Sequence, residues 1–104
     1  MTHAYDVVIA GGGPAGSSTA NYLRQKGRSV LLLERAKFPR FHIGESLLPF
    51  SNDIWKELGV FEQMNQLFIH KPGARFIHSE SNATFTYYFE NAIRPGRSYA
   101  YEVQ

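Results

Sequence analysis

The feature that most constrains this chain is a short β-branched run, Tyr5-Asp6-Val7-Val8-Ile9-Ala10, that leads straight into Gly11-Gly12-Gly13-Pro14-Ala15-Gly16. Such a run predicts a central parallel strand covered on both faces. The next stretch, Ser17 to Lys26, has helical spacing, with Gly16, Thr19, Ala20 and Leu23 on one side. Small residues at the start of that side let a helix sit close to a strand, and Gly27 is placed to end it. Ser29-Val30-Leu31-Leu32-Leu33-Glu34 predicts a second buried strand. Together these segments predict a right-handed βαβ unit.

Spacing adds chemistry to that fold. Gly11-x-Gly13-x-x-Gly16 follows a strand and opens a helix, and Glu34 stands eighteen residues past Gly16 at the end of the second strand. All parts of a dinucleotide-binding fingerprint are in their places. Gly11 permits the tight turn, Gly13 lets the backbone approach a pyrophosphate, and Gly16 lets helix and strand pack closely. Free N–H groups at the helix start then receive the phosphates. Glu34 either accepts hydrogen bonds from an adenosine ribose or is an ordinary strand-end glutamate. Arg24, Lys26, Arg28, Arg35, Lys37 and Arg40 crowd the same region against the lone Glu34. They read either as a solvated helix end and loop or as a basic rim for a phosphate-bearing cofactor. The fingerprint alone leaves FAD and NAD open.

Further along, Ala36 to Leu48 carries loop signals. A helix is expected from Pro49 or Ser51, with Ile54, Trp55 and Leu58 as its apolar side and Gly59 as its stop, then a second from Phe61 to Phe68. After Lys71-Pro72-Gly73 the period changes to two. Ala74, Phe76 and His78 alternate with Arg75 and Ile77, and Ala83, Phe85, Tyr87 and Phe89 with Thr84, Thr86 and Tyr88. With Ser81-Asn82 between them, these runs predict an antiparallel β-hairpin. The aromatic run Phe85, Tyr87, Tyr88, Phe89 reads as core or as the wall of a pocket for a planar substrate. Asn91 to Arg97 reads as a turn and Tyr99 to Val103 as a strand, the only candidate for a third parallel partner. The fold class is therefore α/β, a Rossmann-like βαβ start with an appended hairpin. The domain is expected to be incomplete, the chain stopping in mid-pattern at Gln104.

Composition closes off other classes. Eight Phe, six Tyr and 43% hydrophobic residues supply enough apolar material to exclude disorder. The net charge of +2 is too small to imply nucleic acid. No apolar run approaches the ~18–20 residues of a membrane span, and the first residues lack a signal peptide's basic start. With no cysteine, thiolate metal sites and thiol redox chemistry are excluded. His42, His70 and His78 lack metal spacing, so no metal site is expected. Asn82-Ala83-Thr84 fits a glycosylation acceptor but reads as an ordinary turn. The expected setting is the cytoplasm.

Three segments go further together. Pro14-Ala15 inside the glycine motif, Glu34-Arg35 at the strand end, and Arg40-x-x-x-Gly44-Glu45-Ser46-Leu47-Leu48-Pro49 resemble the flavin-dependent monooxygenase and halogenase superfamily. Ile43 to Pro49 looks especially like the flavin-dependent halogenases and their close relatives. The resemblance covers nearly the whole chain but only the amino-terminal part of such enzymes. It implies FAD as cofactor, held by Gly11, Gly13, Pro14, Ala15, Gly16, Glu34 and Arg35. Arg40 to Pro49 would then be a strap passing the flavin ring, with Gly44 allowing close approach and Ser46 meeting the ring. Residues 1–71 would be the start of the FAD-binding domain and 72–104 the start of the substrate-domain sheet. Tyr99-Ala100-Tyr101-Glu102-Val103 is similar to the family's Ala-Tyr-Gln-Val segment, but Glu102 stands where Gln is usual.

Lys71-Pro72-Gly73-Ala74-Arg75-Phe76 is similar to the family's Lys-x-x-x-basic-Phe segment, where halogenases carry an essential lysine. In that chemistry reduced flavin and O₂ give a hydroperoxide, halide attack gives hypohalous acid, and the lysine steers or captures the electrophile. Lys71 is thus the candidate catalytic residue. A surface lysine before a turn, and a lysine retained in non-halogenating cousins, are the competing readings. The implied partners are a small-molecule substrate, an aromatic one among the candidates, and a separate flavin reductase. A reductase of lipid or isoprenoid double bonds and a non-catalytic NAD-binding module are the alternative functions.

Overall fold

The computed structural model of the chain describes residues 2–91 and 99–103. The described residues fall into two compact units, 1–41 and 42–104.

In the first unit, β1 (Val7–Ala10) is joined through α1 (Pro14–Gln25) to β2 (Val30–Leu33). The strands pair in parallel, Val7 opposite Val30 through Ala10 opposite Leu33. Asp6 ties their starts together: its carboxylate accepts from the N–H and hydroxyl of Ser29 at 2.7 and 2.9 Å. At the other end Gly11 N–H donates to the Leu33 carbonyl at 2.8 Å, extending the ladder into the glycine loop. The helix starts at Pro14 rather than Ser17, because proline's fixed φ and missing N–H suit the first helical position. Gly27, at φ 76°, ends it. Its N–H donates to Arg24 and that of Arg28 reaches back to Leu23, the paired bonds of a Schellman cap. One expectation is corrected: within this unit the strands are covered on one face only. Val8 is 58% and Leu33 54% exposed, because the single helix packs against one side of a two-stranded sheet.

In the second unit, β3 (Glu45–Leu47) and β4 (Ile69–Lys71) flank β7 (Ala100–Val103), both antiparallel to it. Two corrections arise here. Glu45–Leu47 forms a strand inside what read as loop, since its hydrogen-bonding partner lies more than fifty positions away. Tyr99 to Val103 is not a third parallel strand: Ala100–Val103 is the central, antiparallel strand of this separate sheet. Between β3 and β4 run a 3₁₀ turn (Pro49–Ser51), α2 (Asn52–Glu57) and α3 (Phe61–Leu67). Gly59, at φ 77°, closes α2 with the same cap as Gly27, and Val60 and Trp55 share the core beneath it. Trp55, Met64 and Tyr101 form that core, with Leu47, Leu58, Phe61 and Val103 packed against it. Tyr101 is fully buried, and its hydroxyl, like that of Tyr99, donates to Asn65 Oδ1. Burial pushes the Tyr101 phenol well above its ordinary range, and the Tyr99 hydroxyl adds to the effect.

The expected hairpin forms, β5 (Gly73–Ile77) against β6 (Thr84–Tyr88), in a register that sets Phe76 opposite Phe85. Asn82, at φ 55°, makes its turn. Its aromatic residues are not core among the described residues: Phe76 and Phe85 are each 63% exposed. A two-stranded ribbon with no layer on its apolar face leaves them so. The turn expected at Asn91 to Arg97 lies almost wholly outside the described residues.

Candidate functional site

The glycine loop gathers at the carboxyl ends of β1 and β2, where open α/β sheets place their ligands. Each of its fingerprint glycines has a different physical reason. Gly11 sits at φ 112°, which a side chain rarely adopts. Gly16 has no space: a Cβ there would stand 1.9 Å from the Gly11 carbonyl oxygen. Gly13 has neither reason. Its φ of −69° is ordinary and a Cβ would meet nothing within 4 Å. What Gly13 does is leave bare backbone facing open space at the N-terminus of α1.

That helix start is prepared for an anion. Pro14 has no N–H to give, and the N–H groups of Ala15 and Gly16 precede the first intrahelical bond, which Ser17 makes to the Gly13 carbonyl at 2.9 Å. No side chain caps the helix and its first turn carries no acid. The partial positive charge of the helix end is therefore left for something else to meet.

Glu34 fastens the loop from the β2 side. Its Oε2 accepts from Gly12 N–H at 2.8 Å and its Oε1 from Ala36 N–H at 2.9 Å. The Gly12 bond, then the Ala36 bond, holds the carboxyl below its ordinary value, with Arg40 and Arg35 adding to the effect. Each oxygen keeps a second lone pair for a further donor. Beside it lies an open groove of about 780 Å³ lined by Ala10, Gly11, Leu33, Glu34, Arg35 and Arg40, among others. Arg35 and Arg40 are exposed there, and the Arg40 guanidinium lies 5.2 Å from the centre of the Phe38 ring.

The second unit brings together residues the sequence scattered. Opposite partners in an antiparallel sheet share a face, so Ser46 and Ile69 share one with Glu102, and Lys71 with Ala100 two positions along. The core residues Leu47 and Tyr101 occupy the other face. Lys71 Nζ donates to Ser46 Oγ at 2.6 Å and lies 3.0 Å from Glu102 Oε2, while Ser46 Oγ donates to the same Oε2 at 3.1 Å. Their side chains are partly open to solvent, Lys71 at 40% and Glu102 at 29%. The Lys71 N–H, then the Ser46 hydroxyl, lowers the Glu102 carboxyl below its ordinary value. Gly44 stands close by: a Cβ there would lie 3.0 Å from Glu102 Oε1. Sequence reasoning singled out Gly44, Ser46 and Lys71 separately and missed that Glu102 joins them. The signal was the departure from Gln at 102, which carries meaning only once β7 is known to lie between β3 and β4. Among the described residues no three His, Asp or Glu groups converge as a metal would need, and no helix is long and apolar enough to cross a membrane.

A parallel βαβ unit with this loop defines a dinucleotide-binding α/β protein. The comparisons narrow the class. The profile of the tryptophan halogenase family matches residues 6–100, and the chain belongs to that family. It is 49% identical over 83 residues to a 1H-pyrrole-2-carbonyl-(peptidyl-carrier protein) brominase of Pseudoalteromonas luteoviolacea, covering 79% of this chain and 20% of the relative. It is 44% identical over 80 residues to the corresponding chlorinase of Pseudomonas fluorescens, covering 76% of this chain and 18% of the relative. Among solved structures, the myxobacterial chondrochloren halogenase, an FAD-dependent halogenase, superposes with a TM-score of 0.83 at 38% identity, over 95% of this chain and 23% of that one. The chain thus spans about a fifth of the length of the curated relatives it matches.

Proposed function

We propose that this chain is the amino-terminal, FAD-binding segment of a flavin-dependent halogenase, an oxidoreductase of the halogenase and monooxygenase type. The observation that carries the reading is Gly13. Neither its backbone angles nor its neighbours require glycine, so the missing side chain serves a group that comes from outside the protein. A pyrophosphate approaching the start of α1 is such a group. Gly11, Gly13, Pro14, Ala15 and Gly16 would hold it, Glu34 would accept from the adenosine ribose, and Arg35 and Arg40 would rim the groove. Gly44 and Ser46 belong to the strap beside the flavin ring, and Lys71 is the lysine of the reaction. Bound FAD, once reduced, supplies the activation of O₂ that halide oxidation needs.

In this division of labour residues 1–71 begin the cofactor domain and 72–104 begin the substrate side. A small electron-rich aromatic is the substrate class, in keeping with the pyrrole named for the brominase and with the exposed Phe76, Phe85 and Tyr87 of the hairpin. A separate flavin reductase and a cytoplasmic setting complete the proposal. The Glu34 carboxylate would repel a 2′-phosphate at the adenosine ribose, so nucleotides that carry one are disfavoured.

Releasing the nucleotide tests the reading. The full-length protein, saturated with an equimolar mixture of FAD and NAD, desalted and denatured, should give free FAD in the supernatant. Recovery of NAD alone, or of no nucleotide, would rule the reading out.

A further inference from the structure

We propose that Glu102 and Ser46 are positioning residues for Lys71: they hold its ammonium group on one face of the β3–β7–β4 sheet and aim its remaining N–H at an oxygen acceptor of the reacting molecule. The inference rests on the reading of Lys71 as the catalytic lysine and deepens it.

A lysine on a four-carbon stem is a poor pointer, because each of its torsions must be held against rotamer entropy. Here the ammonium has two fixed acceptors. It donates to Ser46 Oγ at 2.6 Å and lies 3.0 Å from Glu102 Oε2. Ser46 is itself oriented, because its own hydroxyl proton goes to that same Oε2 at 3.1 Å. The three groups form a closed triangle whose corners sit on three different strands, β3, β4 and β7. An ammonium group carries three N–H donors. Two are directed by the triangle, and the direction of the third follows from them.

Glu102 is the corner that makes the triangle close. One of its oxygens serves both Lys71 and Ser46. The other lies where a Cβ on Gly44 would come within 3.0 Å, so the glycine leaves room for the carboxylate to turn its shared oxygen toward the lysine. A glutamine at this position, the residue usual in the family pattern, brings no charge. Its amide could face Lys71 with a neutral oxygen only by turning its NH₂ group away from the pair. The carboxylate serves in either orientation. The hydrogen bonds from Lys71 and Ser46 also keep its carboxyl below the ordinary value, so it is ionised at neutral pH.

The pair is half-exposed, which makes the restraint measurable. Reductive methylation of the protein, followed by peptide mass mapping, reports the reactivity of Lys71 against the exposed Lys26 and Lys37 of the same chain. Glu102→Gln should raise relative labelling of Lys71 about two- to fivefold, the range of a partly exposed ion pair. Ser46→Ala should raise it less, and Glu102→Asp should fall between Glu102→Gln and the parent protein. Unchanged labelling in both Glu102→Gln and Ser46→Ala overturns the clamp. In turnover of the full-length enzyme with reduced FAD, halide and an electron-rich aromatic, Glu102→Gln should lower kcat with KM unchanged, and Glu102→Asp should restore part of the loss. A freed Lys71 with full kcat overturns the positioning role. A full-length parent enzyme without any turnover sinks the catalytic reading of Lys71 itself, an outcome the labelling distinguishes from failure of the clamp.

Discussion

Residues 1–41 and residues 42–104 each assemble a constellation of polar groups, but from different materials. The first is made of backbone: glycine amides, a helix end and one carboxylate that grips two N–H groups. The second is made of side chains, Ser46, Lys71 and Glu102, which meet only because three strands lie side by side. Backbone sites depend on steric allowances that tolerate almost no substitution. Side-chain sites depend on charge and can be altered while the fold stands. Mutations should therefore divide by unit.

The largest effect is expected at Gly16. A Cβ placed 1.9 Å from the Gly11 carbonyl oxygen meets backbone, which cannot rotate away. Gly16→Ala should cost more than about 3 kcal/mol, beyond ordinary overpacking, and should abolish the cooperative melt of the first unit. Chemical denaturation followed by circular dichroism measures it. A variant with parental Tm would show that the loop opens freely and that the backbone does not define the site.

Gly13→Ala sharpens the same point from the opposite side. The backbone there allows alanine and the space is open, so stability should stay within about 0.5 kcal/mol of the parent. Affinity for FAD should fall roughly ten- to hundredfold, the equivalent of a one-methyl clash of ~1–3 kcal/mol at a closely approached phosphate. Fluorescence titration decides it. Full affinity would leave Gly13 without a purpose and remove the main support for the nucleotide reading.

These two glycines also show how much could be read in advance. The spacing of Gly11, Gly13 and Gly16 and the distance to Glu34 are local, and local patterns follow from the geometry of one strand, one turn and one helix. The hairpin was legible for the same reason: its alternation and its turn lie within a few residues of each other. What could not be read was pairing across the chain. Ser46 and Glu102 are opposite one another on β3 and β7 although 56 positions apart, and no periodicity in either segment names its partner. Nor did the sequence show that Glu34 is already engaged by Gly12 and Ala36, because backbone donors leave no trace in residue identity.

Glu34 yields the next prediction. Glu34→Ala should weaken FAD binding more than Arg35→Ala, since it frees the Gly12 and Ala36 amides as well as removing the ribose acceptor, whereas Arg35 is an exposed rim charge. Equal affinities of the two variants would sink the assignment. The pH dependence has a definite sign. The folded carboxyl titrates below its ordinary 4.5, so its contribution to stability is complete above pH 4.5 and is lost as pH falls through the lower folded value. The gap in Tm between parent and Glu34→Gln should be widest above pH 4.5 and should narrow on further acidification.

The smallest effect, and the one that separates the two units most directly, is the salt response of their carboxylates. Glu102, like Glu34, is held below its ordinary 4.5, so its contribution to stability has the same sign and the same loss on acidification. The causes differ. Glu34 is held by two neutral backbone N–H groups, with Arg40 and Arg35 secondary. Glu102 is held first by the hydrogen bond from the Lys71 ammonium, 3.0 Å away and 40% open to solvent, then by the Ser46 hydroxyl, with the lysine's charge adding to the effect. Ions screen charge far more than they disturb a short hydrogen bond to a peptide group. At about 1 M salt the screening length is near 3 Å, comparable with the separation of Lys71 and Glu102. Raising salt from about 0.05 M to about 1 M should therefore reduce the Tm difference between parent and Glu102→Gln. The difference for Glu34→Gln should change little. Differential scanning fluorimetry of the three proteins at both salt concentrations, at pH 7, is sufficient. Equal salt responses at the two positions would mean that both carboxylates are held in the same way, and the contrast between a backbone-built and a side-chain-built site would fail.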